Sequence, residues 1–88
     1  MLNNLNFLNK GPLFVCAPMV DQSELPFRML VRKYGSNLCY TPMLHSKMMI
    51  TQNNYKDVHF TTCEADRPLV AQLCGDDPDS MVKAAKML

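Results

Sequence analysis

The sequence predicts a parallel α/β fold. Three apolar runs alternate with segments in which apolar residues recur at helical spacing, and each run ends beside a proline or glycine that stops a strand. The order strand, helix, strand, long connection, strand, helix is typical of parallel strands joined by right-handed crossovers. The chain has 88 residues, of which 48% are hydrophobic and 19% charged, and this composition suits one small folded domain or part of a larger one.

The first strand is predicted from the apolar run Leu13–Cys16. A continuous run of this kind is typical of a parallel strand that is covered on both faces. Pro18 follows, and because proline has no backbone N–H it belongs at a strand end rather than within a sheet. We therefore expect the chain at residues 17–20 to form the carboxyl end of this strand, where ligands of parallel α/β folds gather.

The first helix is predicted to follow this strand end. Ser23 is its expected N-cap, and Glu24 and Pro26 are favourable in its first turn. Gly35 is the expected residue just beyond its C-terminus. An apolar stripe at helical spacing defines the buried face. Its residues are Phe27, Leu30, Val31 and Tyr34.

Two more strands are predicted downstream. Leu38–Leu44 is the second strand, and Pro42 places a residue without an N–H near its end. Residues 45–66 are predicted as a long connection, in which one helical turn over 45–52 is followed by loops. The third strand is predicted over Pro68–Cys74, so three strand ends are expected at one edge of the sheet.

The last helix is predicted to begin at Pro78, with Asp77 as its N-cap. No glycine or proline stops its apolar stripe before Leu88, so we expect this helix to continue to the end of the sequence and beyond. The stripe consists of Met81, Ala84, Ala85 and Leu88.

Charge and cysteine content limit the class of protein, although the charge neither demands nor excludes a polyanionic partner. The formal net charge of +1 gives no strong attraction to nucleic acid or to a membrane surface, and no apolar run reaches the roughly 20 residues of a membrane span. The opening residues lack a secretion signal, which favours an intracellular protein with reduced thiols. Because the cysteines are widely separated, no metal site is expected, and all four are interpreted as small buried apolar residues. They are Cys16, Cys39, Cys63 and Cys74.

A few polar residues are candidates for chemistry. Gln72 is the lone polar side chain inside the third strand, and it is either a core amide bonded to neighbouring backbone or a ligand contact. Its place at a strand's carboxyl end favours the ligand. His45 is interpreted as a solvated loop residue, and Arg28 and Arg32 as solvated helical charges rather than phosphate contacts. No dinucleotide, phosphate-loop or serine-hydrolase motif occurs.

Three segments carry a resemblance to a known family. "APMVDQSELPFR" at 17–28, "YGSNLCYTPMLHS" at 34–46 and "RPLVAQLCGDDPDSM" at 67–81 resemble, in this order, the start of the tRNA-dihydrouridine synthases, and above all their eukaryotic branch that modifies the D-loop. The likeness covers Leu13–Leu88. It implies that residues 1–88 are the amino-terminal portion of an FMN-binding TIM (β/α)8 barrel, with about three of its strands.

The resemblance also implies chemistry and partners. In the family NADPH reduces the flavin, which passes a hydride to C6 of a tRNA uridine while a cysteine protonates C5. The strand end under the flavin corresponds to Pro18, Met19 and Val20, and the glutamine that contacts the flavin ring corresponds to Gln72. The family's cysteine lies in an "N-x-G-C-P" motif that this sequence lacks, so no catalytic residue is assigned. Most tRNA contacts are expected outside this chain, which is expected to be inactive alone, and a cytoplasmic or nuclear protein is implied.

Two other functions stay open from the sequence. A short non-catalytic paralogue could bind a partner through the open edge of its sheet. A different FMN barrel, such as a dihydroorotate dehydrogenase or an ene-reductase, would share the fold but not the amino-acid sequences of the three segments.

Overall fold

Short strands and helices alternate along residues 11–88, which are the residues that the structure, a computed structural model, describes. The predicted α/β class is confirmed, and the first strand stops directly before the Ala17–Pro18 step as expected. No helix in this part of the chain is long and apolar enough to cross a membrane. In chain order the elements are β1 Val15–Cys16, α1 Leu25–Lys33, β2 Leu38–Tyr40, β3 Leu44–His45, α2 Ser46–Thr51, α3 Tyr55–His59, β4 Leu69–Val70, β5 Leu73–Cys74 and α4 Pro78–Lys86.

All the strand pairs of the described residues are parallel. A three-stranded sheet has the order β1-β2-β4, and β3 pairs with β5 in a second, two-stranded sheet. In the larger sheet Cys16 lies opposite Cys39, and Cys39 lies opposite Leu69. Because α1 connects the neighbouring parallel strands β1 and β2, this part of the chain forms one βαβ unit, as predicted.

The second and third predicted strands are each interrupted. Leu38–Leu44 is divided into β2 and β3, and Pro68–Cys74 into β4 and β5. Three residues, 41–43, separate the first pair, but only two residues, 71–72, separate the second pair. The extra residue makes 41–43 a β-bulge. This segment contains Pro42, which has no N–H to donate to a neighbouring strand. Pro42 is expected near the end of the second strand, and it lies two residues after the end of β2. The predicted continuous strands are corrected to interrupted ones.

One face of the larger sheet packs against α1. Phe27 and Val31 of α1 cover this face, whereas Val15 points away from it and is 51% exposed. The expectation that the first strand is covered on both faces is therefore wrong for the residues described, because β1 alternates a buried with an exposed side chain. The buried side chains of this face are Cys16, Cys39 and Leu69.

The ends of α1 differ in part from the prediction. Its N-cap is Glu24, which makes no side-chain capping bond. Ser23, the predicted N-cap, instead donates its hydroxyl to the Met19 carbonyl. Gly35 follows the C-cap with a φ of 109°, a conformation that glycine adopts without strain, and this confirms its predicted role. Leu30 and Tyr34, expected on the buried stripe, are 53% and 80% exposed.

The helices α2, α3 and α4 enclose a second core around Leu44, Met49 and Ala84. The loops predicted after residue 52 are corrected in part, since α3 begins at Tyr55 and ends at His59. Tyr55 is buried, and its hydroxyl accepts a hydrogen bond from the His45 backbone N–H at 2.9 Å. A five-residue helix of this kind depends on tertiary contacts rather than on sequence propensity, which explains why its sequence reads as a loop.

The cap predicted for α4 is confirmed. Asp77 Oδ2 accepts from the Ser80 backbone N–H at 3.3 Å and from the Ser80 hydroxyl at 2.7 Å. The Ser80 hydroxyl bond is the main cause that lowers the pKa of Asp77. The helix ends at Lys86 rather than at Leu88.

The cysteines are all free thiols, but their environments differ. Cys16 and Cys39 are buried as predicted, whereas Cys63 is exposed and Cys74 half-buried, so the interpretation of all four as buried is wrong. Burial raises the pKa of the Cys16 thiol, and neighbouring Cys39 raises it further. Cys16 is therefore an unreactive packing residue.

Gly75 allows the chain after β5 to approach α2 and α4 closely. A Cβ atom at this position would overlap the Ser46 hydroxyl and lie 3.0 Å from Met81 Sδ. We expect Gly75→Ala to lower the free energy of unfolding by about 1–3 kcal/mol, the usual effect of overpacking. Urea unfolding of the protein expressed from its complete reading frame measures this change.

Ser46→Ala is the matched control for this prediction. It removes the overlapping hydroxyl, so the double variant Gly75→Ala/Ser46→Ala should recover part of the stability that Gly75→Ala loses. Additive losses in the double variant would contradict the steric explanation.

Candidate functional site at the strand ends

The residues predicted to bind a cofactor lie at one edge of the parallel strands. Pro18, Met19 and Val20 follow β1, and Gln72 follows β4. The carboxyl ends of parallel strands share an edge, which is the usual ligand-binding edge. Because β2 lies between β1 and β4, the two groups are separated by two strand spacings, or about 9.5 Å. They are not neighbours, and a ligand that contacts both must extend across the end of β2.

The segment after β1 is held in place by Ser23. Its hydroxyl accepts from the Met19 N–H at 2.8 Å and donates to the Met19 carbonyl at 3.1 Å. The N–H of Ser23 donates to the same carbonyl at 3.0 Å. Asp21 turns the chain with a φ of 59°, in the left-handed region that aspartate tolerates better than most residues. Met19 is half-buried, whereas Pro18 and Val20 are exposed.

The backbone of Gln72 connects the two interrupted strand pairs. Its N–H donates to Thr41 Oγ1 at 3.0 Å, and its carbonyl accepts from the Leu44 N–H at 2.8 Å. Thr41 is 1% exposed, so a buried hydroxyl replaces the backbone acceptor that the bulge removes. The sequence analysis did not identify Thr41, since its role depends on a strand pairing that the sequence does not reveal.

The side chain of Gln72 has a buried atom, Oε1, without a hydrogen-bond partner among the residues described. The flanking residues Ala71 and Leu73 pack on the core beneath the helices, so the alternation of a pleated chain turns Gln72 to the opposite face of the sheet. The interpretation as a core amide bonded to neighbouring backbone does not account for Oε1. A buried acceptor of this kind favours a donor supplied by a ligand.

Asp66 lies buried between two arginines of α1. Arg28 Nε and Nη2 donate to Asp66 Oδ2 at 3.0 and 2.8 Å, and Arg32 Nε donates to Oδ1 at 2.9 Å. The interpretation of both arginines as solvated charges is wrong, and Arg28 is 1% exposed. Their spacing of four residues places them on one helix face, but nothing in the sequence identifies a carboxylate 38 positions after Arg28 as their partner.

Two opposing effects act on the Asp66 carboxyl group. Burial works to raise its pKa, because a charge is costly away from water. The hydrogen bonds and the charge of Arg28, together with bonds from Arg32 and Thr62, outweigh burial and hold the pKa of Asp66 below its ordinary value. Asp66 is therefore ionised at neutral pH.

An apolar groove of about 300 Å³ lies between β1 and α1. Phe14, Phe27, Val31 and Tyr34 contribute to its walls, and Met19 is the one predicted cofactor residue that lines it. The groove does not join the segment after β1 to Gln72. Among the residues that the structure describes, no three His, Cys, Asp or Glu side chains form a group that could hold a metal ion.

Comparison with known proteins identifies relatives. The dihydrouridine synthase (Dus) family matches residues 15–88. The chain is 47% identical over 90 residues to the tRNA-dihydrouridine(16/17) synthase of Schizosaccharomyces pombe, covering 98% of this chain and 23% of that protein. It is 48% identical over 77 residues to a tRNA-dihydrouridine(16/17) synthase-like protein of Rattus norvegicus, covering 85% and 18%. Over 74 residues it is 43% identical to a tRNA-dihydrouridine(20a/20b) synthase-like protein of Homo sapiens, covering 84% and 23%.

These matches confirm the resemblance that the three sequence segments predict. The names of all three relatives also include NAD(P). The chain spans 18% to 23% of the length of these relatives.

Thr41→Val tests the hydroxyl that bonds to Gln72. The variant keeps the shape of the side chain but leaves the Gln72 N–H without its acceptor, so we expect the free energy of unfolding to fall by about 1–3 kcal/mol. Thr41→Ser retains the hydroxyl and should lose less. Urea unfolding checks both variants, and a Thr41→Val protein as stable as the wild type would contradict the role of the hydroxyl.

Asp66 should make stability depend on acid pH. Its pKa is lower in the folded than in the unfolded protein, where it is about 3.9, so its contribution is fully present above about pH 4 and is lost as pH falls through the folded pKa. Asp66→Asn should be less stable at neutral pH by about 3–5 kcal/mol, because two guanidinium groups lose their anion, and should lose less on acidification. Urea unfolding over an acid pH series measures both effects. Glu64→Gln, which keeps Asp66, is the control. If Asp66→Asn lost as much stability on acidification as the wild type does, Asp66 would not be the group responsible.

Proposed function

Because the chain belongs to the dihydrouridine synthase family, we propose that the protein containing it reduces uridine in tRNA to 5,6-dihydrouridine, with FMN as bound cofactor and NADPH as reductant. In this proposal residues 1–88 form the amino-terminal part of a TIM barrel, and the protein acts in the cytoplasm or nucleus. The observation that carries the proposal is the buried Gln72 Oε1, which lacks a partner at the ligand-binding edge of a parallel sheet.

The chemistry of Gln72 fits a flavin. The polar edge of the flavin ring presents both N–H donors and carbonyl acceptors, and a glutamine amide can accept and donate. Gln72 Oε1 would accept from such an N–H, which would satisfy the atom that the described residues leave unpaired. A metal cation would instead require several oxygen, nitrogen or sulfur ligands together.

The segment after β1 fits the apolar part of the same group. Pro18 and Val20 are exposed, and half-buried Met19 offers a polarisable surface on which a flat ring can lie. The bonds from Ser23 fix the Met19 peptide, so this surface is formed before a ligand arrives. A ring system long enough to cross the end of β2 can contact both this segment and Gln72.

When bound and reduced, FMN supplies the hydride that the uracil ring accepts. The residues of this chain bind and orient the ring in our proposal, and none of them is assigned as the proton donor. We expect residues 1–88 alone to be inactive, because three short strand regions cannot close a barrel around the ring.

A non-catalytic interaction protein is the second candidate. Exposed apolar side chains surround the groove beside β1, and they favour the docking of another protein segment. The residues concerned are Phe14, Val15 and Tyr34, with exposed fractions of 64%, 51% and 80%.

Flavin content distinguishes the two candidates. The protein from the complete reading frame should purify with bound FMN, and Gln72→Ala should weaken FMN binding by about 1–3 kcal/mol because a buried polar partner is lost. Gln52→Ala, at an exposed position beyond α2, is the control and should bind FMN as the wild type does. Fluorescence titration with FMN measures the affinities. A wild-type protein without flavin affinity would favour the interaction protein, and unchanged binding in Gln72→Ala would remove Gln72 from the site.

A further inference from the structure

A path of hydrogen bonds connects the segment after β1, which is one half of the candidate flavin site, to the entrance of β4, the strand that precedes Gln72. It begins at Met19, whose N–H and carbonyl are both bound by the Ser23 hydroxyl. Arg28 Nη1 donates to the Ser23 carbonyl at 2.8 Å, and the same guanidinium group donates twice to Asp66 Oδ2. Ser23, Arg28 and Asp66 are each no more than 1% exposed, so water does not compete for these bonds.

The path continues from Asp66 to the strand that leads to Gln72. Arg32 bonds to Asp66 Oδ1 and also donates from Nη2 to the Pro68 carbonyl at 2.8 Å. The Pro68 carbonyl also accepts from the Cys39 N–H, at 3.4 Å, directly before β4 begins. The Asp66 carboxylate therefore connects the segment after β1 to the entrance of β4 through two guanidinium groups.

Stability alone does not explain why a charged cluster occupies this position. Removing charges from water is costly, and well-packed apolar residues commonly stabilise a protein as much as a buried ion pair does. Directional bonds do provide a defined geometry, because a guanidinium fork accepts only a narrow range of partner positions.

We propose that Asp66 is a positioning residue of the flavin site, which sets the location of the Met19 peptide through Arg28 and Ser23 and the location of the Gln72 strand through Arg32. The inference rests on the proposed function, since it concerns FMN. It goes further by assigning a role to Asp66, Arg28 and Arg32, which have no part in the ring contacts proposed above.

Two variants interrupt the path at different points. Asp66→Asn removes the anion that both guanidinium groups bind, whereas Ser23→Ala keeps the ion pairs and removes only the two bonds that the hydroxyl makes to Met19. In the protein from the complete reading frame, each should raise the Kd for FMN about tenfold, as expected for the loss of one well-oriented hydrogen bond. At saturating FMN, each should also shift the visible absorption bands of the flavin.

The double variant and a control separate positioning from stability. Because both changes act on one path, Asp66→Asn/Ser23→Ala should bind FMN no more weakly than Asp66→Asn alone. Tyr55→Phe, which removes the bond to the His45 N–H, should lower the thermal midpoint and leave both the Kd and the flavin spectrum unchanged.

The outcomes distinguish this inference from the proposed function. Wild-type Kd and spectrum in a folded Asp66→Asn protein, with Gln72→Ala still weakened, would overturn the positioning role and leave the proposed function intact. If Asp66→Asn does not fold, wild-type FMN binding by Ser23→Ala has the same meaning. A wild-type protein that does not bind FMN would overturn both.

Discussion

The contact between Asp66 and the two arginines of α1 is the constraint on which the rest of this structure depends. A carboxylate that is fully buried must be neutralised by donors, and Arg28 and Arg32 together supply three bonds to it. These bonds fix α1 against the chain that enters β4, while the apolar side chains of α1 cover the sheet. Packing therefore determines which face of the sheet is covered, and the ion cluster determines where α1 lies along it.

Much of the fold could be predicted from local signals. Apolar runs, the Asp77 cap and the turn at Gly35 all depend on neighbouring residues, and the structure contains each of them. The short helix α3 could not be predicted, since Tyr55 becomes helical by burying its ring and bonding to His45. The interruption of the strands depends on how they pair. Pro42 indicates an interruption between β2 and β3, but no residue of the sequence indicates the one between β4 and β5.

The candidate site divides in the same way. Pro18 and Gln72 could be chosen from the sequence because each has an unusual residue type for its place in a strand. The buried roles of Arg28 and Ser23 could not, because on a helix such residues are usually exposed or act as caps. The role of Arg28 is decided by a single aspartate distant in sequence, and composition and periodicity carry no information about that pairing.

The bulge at residues 41–43 reverses which side chains of the following strand face the core. In β2 the odd-numbered Cys39 is buried under α1, whereas in β3 the even-numbered Leu44 is buried under the other helices. Across the pair, Leu69 and Leu73 keep the same parity. One supernumerary residue thus reverses the alternation of inward and outward positions on one strand only. A deletion there would exchange the sides of Leu44 and His45, so the pairing of the strands constrains the number of residues in this segment, just as the Gln72 N–H constrains the residue at position 41.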